Sequence, residues 1–218
     1  MIGSQLLKGH AARAVAPNDW QALISELGVK AVIFDCDGTL VLSAQAHLKA
    51  MQMAALNQGQ SMSEEWYLAR SGLDRQSLFA AFGRALGDGF DVALAARDSI
   101  AAYEEASRLV RPIAEVVDLV HQLDARDIPL AVVTNAERRV LELSLMQVDM
   151  LEAFATSVTI SDGYAPKPAP EMYLAAMEDL GVRAHEALIF EDSPEGVQAA
   201  LAAGAHVIQI ISAIEAGA

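Results

Sequence analysis

The feature that most constrains this chain is a set of short apolar runs that end in polar or acidic residues. The first run covers residues 31–34 and is followed directly by Asp35. Similar runs lie at residues 129–133, 156–160, 187–190 and 207–210. Helical patterns separate most of them, at residues 113–123, 138–146, 171–180 and 196–203. Short continuous apolar strands that alternate with helices predict an α/β fold with a Rossmann-like parallel sheet.

One long segment interrupts this alternation. Residues 44–110 have a helical pattern and no strand pattern, which predicts a helical cap domain inserted after the first strand. The α/β core domain then covers residues 30–43 and 111–218. Residues 1–29 precede the first predicted strand, and we expect them to form an N-terminal helical extension. Apolar side chains recur there at helical spacing, namely Trp20, Leu23, Ile24 and Leu27.

The composition excludes several classes of partner. The chain has 218 residues and a formal net charge of −14, so it lacks the basic surface that binds nucleic acid or anionic membranes. No apolar stretch approaches the roughly 20 residues that span a bilayer. The single cysteine, Cys36, excludes an internal disulfide and fits a reducing, cytoplasmic setting. The sequence leaves the oligomeric state open.

Polar side chains follow three of the predicted strands. Asp35 and Asp37 follow the first, Thr134 and Asn135 the second, and Glu191 and Asp192 a later one. Lys167 stands between two prolines in the loop after the third strand. Ligands of open α/β sheets bind outside the carboxyl ends of the strands, so we expect these groups to converge there.

Such a group of side chains suits phosphoryl transfer. Clustered carboxylates repel one another, and Mg²⁺ relieves the repulsion while leaving room for phosphate oxygens. Lys167 and Thr134 would then hold the remaining phosphate charge. Asp35 could attack phosphorus as a nucleophile, and Asp37 could protonate the leaving oxygen and later activate water.

Four motifs together resemble those of the haloacid dehalogenase-like superfamily. They are Phe-Asp-Cys-Asp-Gly-Thr-Leu at residues 34–40, Thr134-Asn135, Lys-Pro-Ala-Pro at residues 167–170, and Phe-Glu-Asp-Ser at residues 190–193. Their order and spacing match over about residues 30–210. The chain is most similar to the branch that contains β-phosphoglucomutase and sugar-phosphate phosphatases, whose members carry a helical cap.

The resemblance implies a role for each motif residue. Asp35 would be the nucleophile and a metal ligand, and Asp37 the general acid/base that gives the metal its backbone carbonyl. Asp192 would be a further Mg²⁺ ligand, with Glu191 near the metal directly or through water. The implied phosphate-binding residues are Thr39, Thr134, Asn135 and Lys167. Three more positions are candidate substrate contacts, namely His47, Arg75 and Arg138.

The resemblance predicts a Mg²⁺-dependent phosphatase that acts on small phosphate esters, with sugar phosphates expected. A sugar-phosphate mutase is the alternative, and it must bind a second phosphate. In the loop that would do so, Ala136 offers no side-chain donor and Glu137 repels phosphate, although Arg138 could compensate. This loop favours hydrolysis. A non-catalytic binding protein of the same fold is a third hypothesis.

Overall fold

The computed structural model describes residues 2–8, 11–70 and 73–211, so the ends of the predicted segments 1–29 and 111–218 lie partly outside the described residues. Its strands are β1 Gly3–Lys8, β2 Ala11–Ala14, β3 Ala31–Phe34, β4 Val41–Leu42, β5 Arg111–Pro112, β6 Leu130–Thr134, β7 Thr156–Thr159, β8 Ala187–Glu191 and β9 His206–Ile211. Its α-helices are α1 Trp20–Glu26, α2 Ala44–Leu56, α3 Glu64–Leu68, α4 Arg75–Leu86, α5 Val92–Ala106, α6 Ala114–Asp124, α7 Arg138–Met146, α8 Glu171–Asp179 and α9 Pro194–Ala202.

A seven-stranded sheet forms the centre of the fold, in the order β2-β1-β9-β8-β3-β6-β7. The five strands from β9 to β7 are parallel, and β3, β6 and β8 are buried along their whole length. The predicted α/β fold with a mostly parallel sheet is therefore confirmed. Each predicted strand and helix of the core lies within two residues of its observed bounds, because continuous apolar runs can be buried only between two helical layers.

Helices cover both faces of the sheet. On one face, Phe34 and Phe190 pack with Trp20 of α1 in an apolar cluster that includes residues of α6 and α7. On the other face, Ile33 and Ile189 pack against α8 and α9. Adjacent residues of one strand thus serve opposite layers, as the two-residue period of a strand requires. Each fully buried large apolar side chain contributes about 1.5–3 kcal/mol.

Helices α2 to α5 follow one another between β4 and β5, and we call residues 44–110 the helical insertion. Its helices enclose an apolar cluster of their own, which includes Leu48, Phe79 and Phe82. β4 and β5 pair antiparallel, so the chain enters and leaves the insertion through two adjacent segments. The division of the chain into core and cap domains at residues 43 and 111 stays a prediction.

The prediction of a helical extension over residues 1–29 is wrong for residues 3–8 and 11–14. There β1 pairs antiparallel with β9, and β2 pairs antiparallel with β1, so the extension adds two strands to the sheet. Only the segment around α1 is helical. β1 is a strand because it pairs with the free edge of β9, which is distant in the sequence. The six residues of β1 alone therefore carry no periodic pattern that predicts a strand.

Trp20 links this extension to the core. Its Nε1 donates to Ser4 Oγ at 2.9 Å, and Ser4 Oγ donates to the carbonyl oxygen of Val15 at 2.6 Å. The indole ring also meets Phe190 edge-on, with ring centroids 5.1 Å apart. One buried side chain therefore connects α1, the hairpin and the central strand β8.

Within the described ranges, no helix combines the length and apolar character that crossing a bilayer requires.

Trp20→Ala should lower the free energy of unfolding by about 3–5 kcal/mol, because it removes a buried indole and leaves Ser4 without its donor. Urea denaturation of the full chain measures the loss. Trp66 is the matched control, since it is half-buried against Phe82 in the helical insertion. Trp66→Ala should cost about 1–2 kcal/mol. Equal losses in the two variants would contradict the linking role of Trp20.

Candidate active site

The predicted site residues converge at the carboxyl ends of three neighbouring strands. β3 lies between β8 and β6, and all three are parallel. Asp35 follows β3, Thr134 ends β6 and Glu191 ends β8. Lys167 reaches the same place from the loop between β7 and α8. Parallel pairing therefore brings together side chains that are far apart in sequence.

Lys167 forms the centre of this arrangement. Its Nζ donates to Asp35 Oδ1 at 2.6 Å, to Glu191 Oε1 at 2.7 Å and to the carbonyl oxygen of Val133 at 2.9 Å. The side chain is 3% exposed. Burial alone lowers the pKa of the ammonium, but the charge of Asp35 and that of Glu191 hold this pKa well above its usual value. The site thus contains one fixed positive charge next to Asp35.

Glu191 is fully buried and supports Lys167 from behind. Its Oε1 also accepts a hydrogen bond from the Tyr173 hydroxyl at 3.0 Å. Its Oε2 accepts from the backbone N and the Oγ of Ser193, at 2.9 and 3.0 Å. A Cβ at Gly196 would lie 1.7 Å from Glu191 Oε1, so glycine there is what leaves room for the carboxylate. These donors fix Glu191 as the partner of Lys167.

Three carboxylates lie close enough to share a cation. Oxygens of Asp35, Glu191 and Asp192 all fall within 4.8 Å of one another. Burial and the charge of Glu191 raise the pKa of Asp192 to about 7. Burial also raises the pKa of Asp35 well above its usual value, despite the opposing charge of Lys167. Carboxylate oxygens are the ligands of hard divalent ions, and the raised pKa values reflect a surplus of negative charge that such an ion would balance.

Asp192 is held in this cluster by the loop after β3. Thr39 Oγ1 donates to Asp192 Oδ1 at 3.1 Å. Gly38 has a φ of +91°, and a Cβ on it would lie 2.1 Å from Asp192 Oδ2. Thr39, which the resemblance assigns to phosphate binding, therefore has its hydroxyl directed to a carboxylate of this cluster.

Asp37 lies in the same loop after β3. Its Oδ1 accepts from Ser43 Oγ at 2.5 Å and contacts His47 Nε2 at 3.1 Å, and Thr134 Oγ1 lies 3.4 Å from its Oδ2. Burial raises the pKa of Asp37, but the charge and hydrogen bond of His47 and the Ser43 hydroxyl outweigh it and lower this pKa to about 2. His47 also packs on Tyr103, with ring centroids 4.9 Å apart.

A cavity of about 820 Å³ opens from these residues toward the helical insertion. Asp35, Asp37, Thr134, Asn135 and Lys167 line its floor. The insertion contributes His47 and Arg75 together with an apolar wall that includes Met51, Leu73, Leu78 and Ile100. Seven of the eleven predicted site residues thus line one cavity, and the other four, Thr39, Arg138, Glu191 and Asp192, do not.

Asn135 and Arg138 have side-chain partners outside the carboxylate cluster. The Asn135 carboxamide accepts from the backbone N of Lys167 at 2.9 Å and so holds the lysine loop. The Arg138 guanidinium donates to Ser157 Oγ and to Asp162 Oδ2, both at 2.7 Å, and Arg138 does not line the cavity. The structure does not bring Arg138 to the other predicted substrate contacts.

Arg75 lines the cavity, but its guanidinium already has a partner. Nε and Nη2 donate to the two carboxylate oxygens of Glu137, at 2.8 and 3.0 Å. Glu137 lies in the loop that the sequence indicates, but its pairing with Arg75 across 62 residues leaves no local pattern. Ser43, Tyr173 and Ser193 are further site residues that are not predicted from the sequence. Of these three, only Ser193 carried a signal, because it ends the fourth motif.

Gly196→Ala should lower the free energy of unfolding by about 1–3 kcal/mol, because the new methyl group would overlap the Glu191 carboxylate. Alanine in an open helix position stabilises by about 0.5–1 kcal/mol, so the sign of the change is informative. Urea denaturation measures it. Gln198→Ala, on the exposed side of the same helix, is the control and should stay within about 0.5 kcal/mol of the wild type. A stabilised Gly196→Ala variant would refute the close packing.

A family model of haloacid dehalogenase-like hydrolases matches residues 32–210. Among curated proteins, the chain is 29% identical over 194 residues to validoxylamine A 7'-phosphate phosphatase of Streptomyces hygroscopicus subsp. limoneus, covering 87% of this chain and 89% of that protein. It is 27% identical over 180 residues to fructose-1-phosphate phosphatase YqaB of Escherichia coli, covering 82% and 95%.

Solved structures agree with this assignment. A haloacid dehalogenase superfamily hydrolase of subfamily IA from Geobacter sulfurreducens superposes with a TM-score of 0.67 at 29% identity, over 83% of this chain and 86% of that one. The family model covers most of the chain and spans all four motifs. The chain therefore belongs to the haloacid dehalogenase-like hydrolase family.

Proposed function

We propose that this enzyme hydrolyses small phosphomonoesters, sugar phosphates in particular, in a Mg²⁺-dependent reaction through an aspartyl-phosphate on Asp35. The contact of Lys167 with Asp35, at the floor of a cavity that also contains Asp37, carries the proposal. A single phosphate group in the cavity could lie next to the Asp35 carboxylate, the Lys167 ammonium and the Asp37 carboxylate.

The reaction takes two steps. An Asp35 carboxylate oxygen attacks phosphorus, the bond from phosphorus to the ester oxygen breaks, and Asp37 gives its proton to the leaving alcohol. Asp37 then takes a proton from water, the water oxygen attacks the same phosphorus, and the bond to Asp35 breaks. Inorganic phosphate leaves and both carboxyl groups return to their starting state. All three N–H donors of Lys167 already have partners, so its charge would offset that of the phosphoryl oxygens without a hydrogen bond to them. The Thr134 hydroxyl would donate to a phosphoryl oxygen.

The donor set at the strand ends fits Mg²⁺, which prefers oxygen ligands. The carboxylates of Asp35 and Asp192 and the backbone carbonyl of Asp37 would hold it. Glu191, whose oxygens accept from Lys167, Tyr173 and Ser193, would act on the site chiefly through Lys167. When bound, the ion supplies positive charge that offsets both the carboxylates and the phosphoryl oxygens.

Asp37 must change its protonation state to act first as an acid. Its pKa of about 2 keeps it ionised in the open cavity. A phosphate dianion next to it raises this pKa, because two like charges disfavour ionisation. Ser43 and His47 keep the carboxylate oriented toward the cavity. Substrate binding would thus help to prepare the proton that the leaving group needs.

The cavity supports a small substrate. Its walls come from both the core and the helical insertion, which would act as a cap and exclude bulk water. The mutase alternative needs a free cationic group for a second phosphate. Arg75 is paired with Glu137 and Arg138 points to Ser157 and Asp162, which favours hydrolysis over mutase chemistry.

The purified enzyme should release phosphate from hexose monophosphates in the presence of Mg²⁺ and lose this activity in EDTA. Asp35→Asn should lower kcat/KM by about 10³-fold or more, because it removes the nucleophile. Asp124→Asn, an exposed carboxylate at the end of α6, is the matched control. Conversion of glucose 1-phosphate to glucose 6-phosphate would indicate the mutase. Binding without any turnover would indicate the non-catalytic protein.

Asp37→Asn should accumulate the aspartyl-phosphate. With p-nitrophenyl phosphate the leaving group needs no protonation, so the first step proceeds while the water attack lacks its base. Rapid quenching and mass spectrometry should find one phosphoryl group on Asp35, together with a burst of nitrophenol. With a sugar phosphate, whose alcohol leaving group needs a proton, Asp37→Asn should slow both steps. No rapid initial release of the sugar should then be seen. A stable phosphoryl group on any other residue would refute the assignment of Asp35.

A further inference from the structure

The pair Arg75–Glu137 is a feature of the cavity that the proposed chemistry does not use. Arg75 begins α4 in the helical insertion, and Glu137 precedes α7 in the core. Their two hydrogen bonds of 2.8 and 3.0 Å join carboxylate and guanidinium side by side. Both residues line the cavity that leads to Lys167. The pair therefore borders the space for whatever part of the substrate is not the reacting phosphate.

The Arg75 guanidinium has few donors left for a ligand. Nη1 donates to Ser99 Oγ at 2.7 Å, and Ser99 itself is fully buried. The Arg75 side chain is 9% exposed, compared with 26% for Glu137. A second anionic group on a substrate would have to displace Glu137 to reach Arg75. Bidentate pairing makes such a displacement costly.

The other charged side chains of the cavity wall do not favour a second anionic group either. Arg97 also lines the cavity, but it pairs with Asp98 at 3.0 Å and is largely exposed to solvent. Asp74 and Glu195 add negative charge to the same wall. Carboxylates thus outnumber guanidinium groups around the space beyond the phosphate. An anionic remainder would meet repulsion there.

An uncharged remainder with hydroxyl groups fits the same wall. A carboxylate oxygen that accepts one hydrogen bond from arginine keeps a lone pair for a further donor. Glu137 can therefore accept from substrate hydroxyls while it pairs with Arg75. Met51, Leu78 and Ile100 offer an apolar surface for the carbon face of a ring.

We propose that Glu137 is a specificity-determining residue: by pairing with Arg75 it makes the cavity select phosphomonoesters whose remainder is uncharged and hydroxylated over esters that carry a second anionic group. The inference rests on the proposed function and deepens it.

Fructose 1-phosphate and fructose 1,6-bisphosphate test the inference, because they differ by one phosphate on the same sugar. The wild type should prefer the monophosphate. Glu137→Gln should raise the ratio of kcat/KM for the bisphosphate to that for the monophosphate by about tenfold or more, mainly through KM. Glutamine retains an acceptor for Arg75, so the fold of the loop should persist.

Two further variants separate charge from shape. Arg75→Gln should shift the ratio in the opposite direction, since it leaves Glu137 unpaired. The double variant Arg75→Gln/Glu137→Gln should return to within about threefold of the wild-type ratio, because both charges are gone. Glu104→Gln is the matched control. Glu104 contacts Arg139 at 3.6 Å between insertion and core, but it lies outside the cavity wall.

A Glu137→Gln ratio equal to that of Glu104→Gln overturns the inference, as does a double variant that keeps the shift of the single one. Calorimetry of both esters in the Asp35→Asn background gives the same comparison without turnover. Binding of both esters with unchanged preference in Glu137→Gln overturns this inference alone. No binding and no turnover of either ester by the wild type overturns the proposed function as well.

Discussion

The structure of the site depends on one buried ammonium group. Lys167 Nζ lies between Asp35 and Glu191 and also donates to the carbonyl oxygen of Val133. It thereby joins the ends of β3, β6 and β8, whose register is set by the backbone pairing of the parallel strands. A charge with so little exposure is tolerated only when every donor has a partner, and each of its carboxylate partners would be unstable without it. The same contact that organises the fold at this edge therefore fixes the position of the candidate nucleophile.

The support for this lysine continues behind the site. Glu191 is held by Tyr173 and Ser193, and Gly196 leaves the space that the carboxylate occupies. This layer is rigid because a strand end and the first turn of α9 both belong to it. A rigid layer suits a reaction in which fixed charges stabilise the transition state. Preoriented groups need no rearrangement when charge develops there.

Much of this site could be predicted from the sequence because parallel strands of one sheet share a carboxyl edge. Asp35, Thr134 and Glu191 each follow an apolar run, so the fold class alone brings them together. The contacts that could not be predicted are those between distant segments with no periodic signal. β1 pairs with β9 across most of the chain, Gln5 and Gln209 being 204 positions apart. The direction of a side chain is equally hard to predict. Thr39, a candidate phosphate-binding residue, contacts Asp192, and Arg138, a candidate substrate contact, donates to Ser157.

The distribution of charge divides the cavity into two parts with different tasks. At its floor the carboxylates of Asp35 and Asp37 lie near one lysine, so a phosphate dianion bound there would need a cation to offset them. Toward the helical insertion the wall is largely apolar, Arg75 pairs with Glu137, and Arg97 pairs with Asp98. In the proposed reaction, attraction for anions is therefore strongest at the floor, next to Lys167. A phosphate group that bound elsewhere in the cavity would compete with the reactive position, and the paired charges of Arg75 and Glu137 remove that competition without leaving an unpartnered group in the wall.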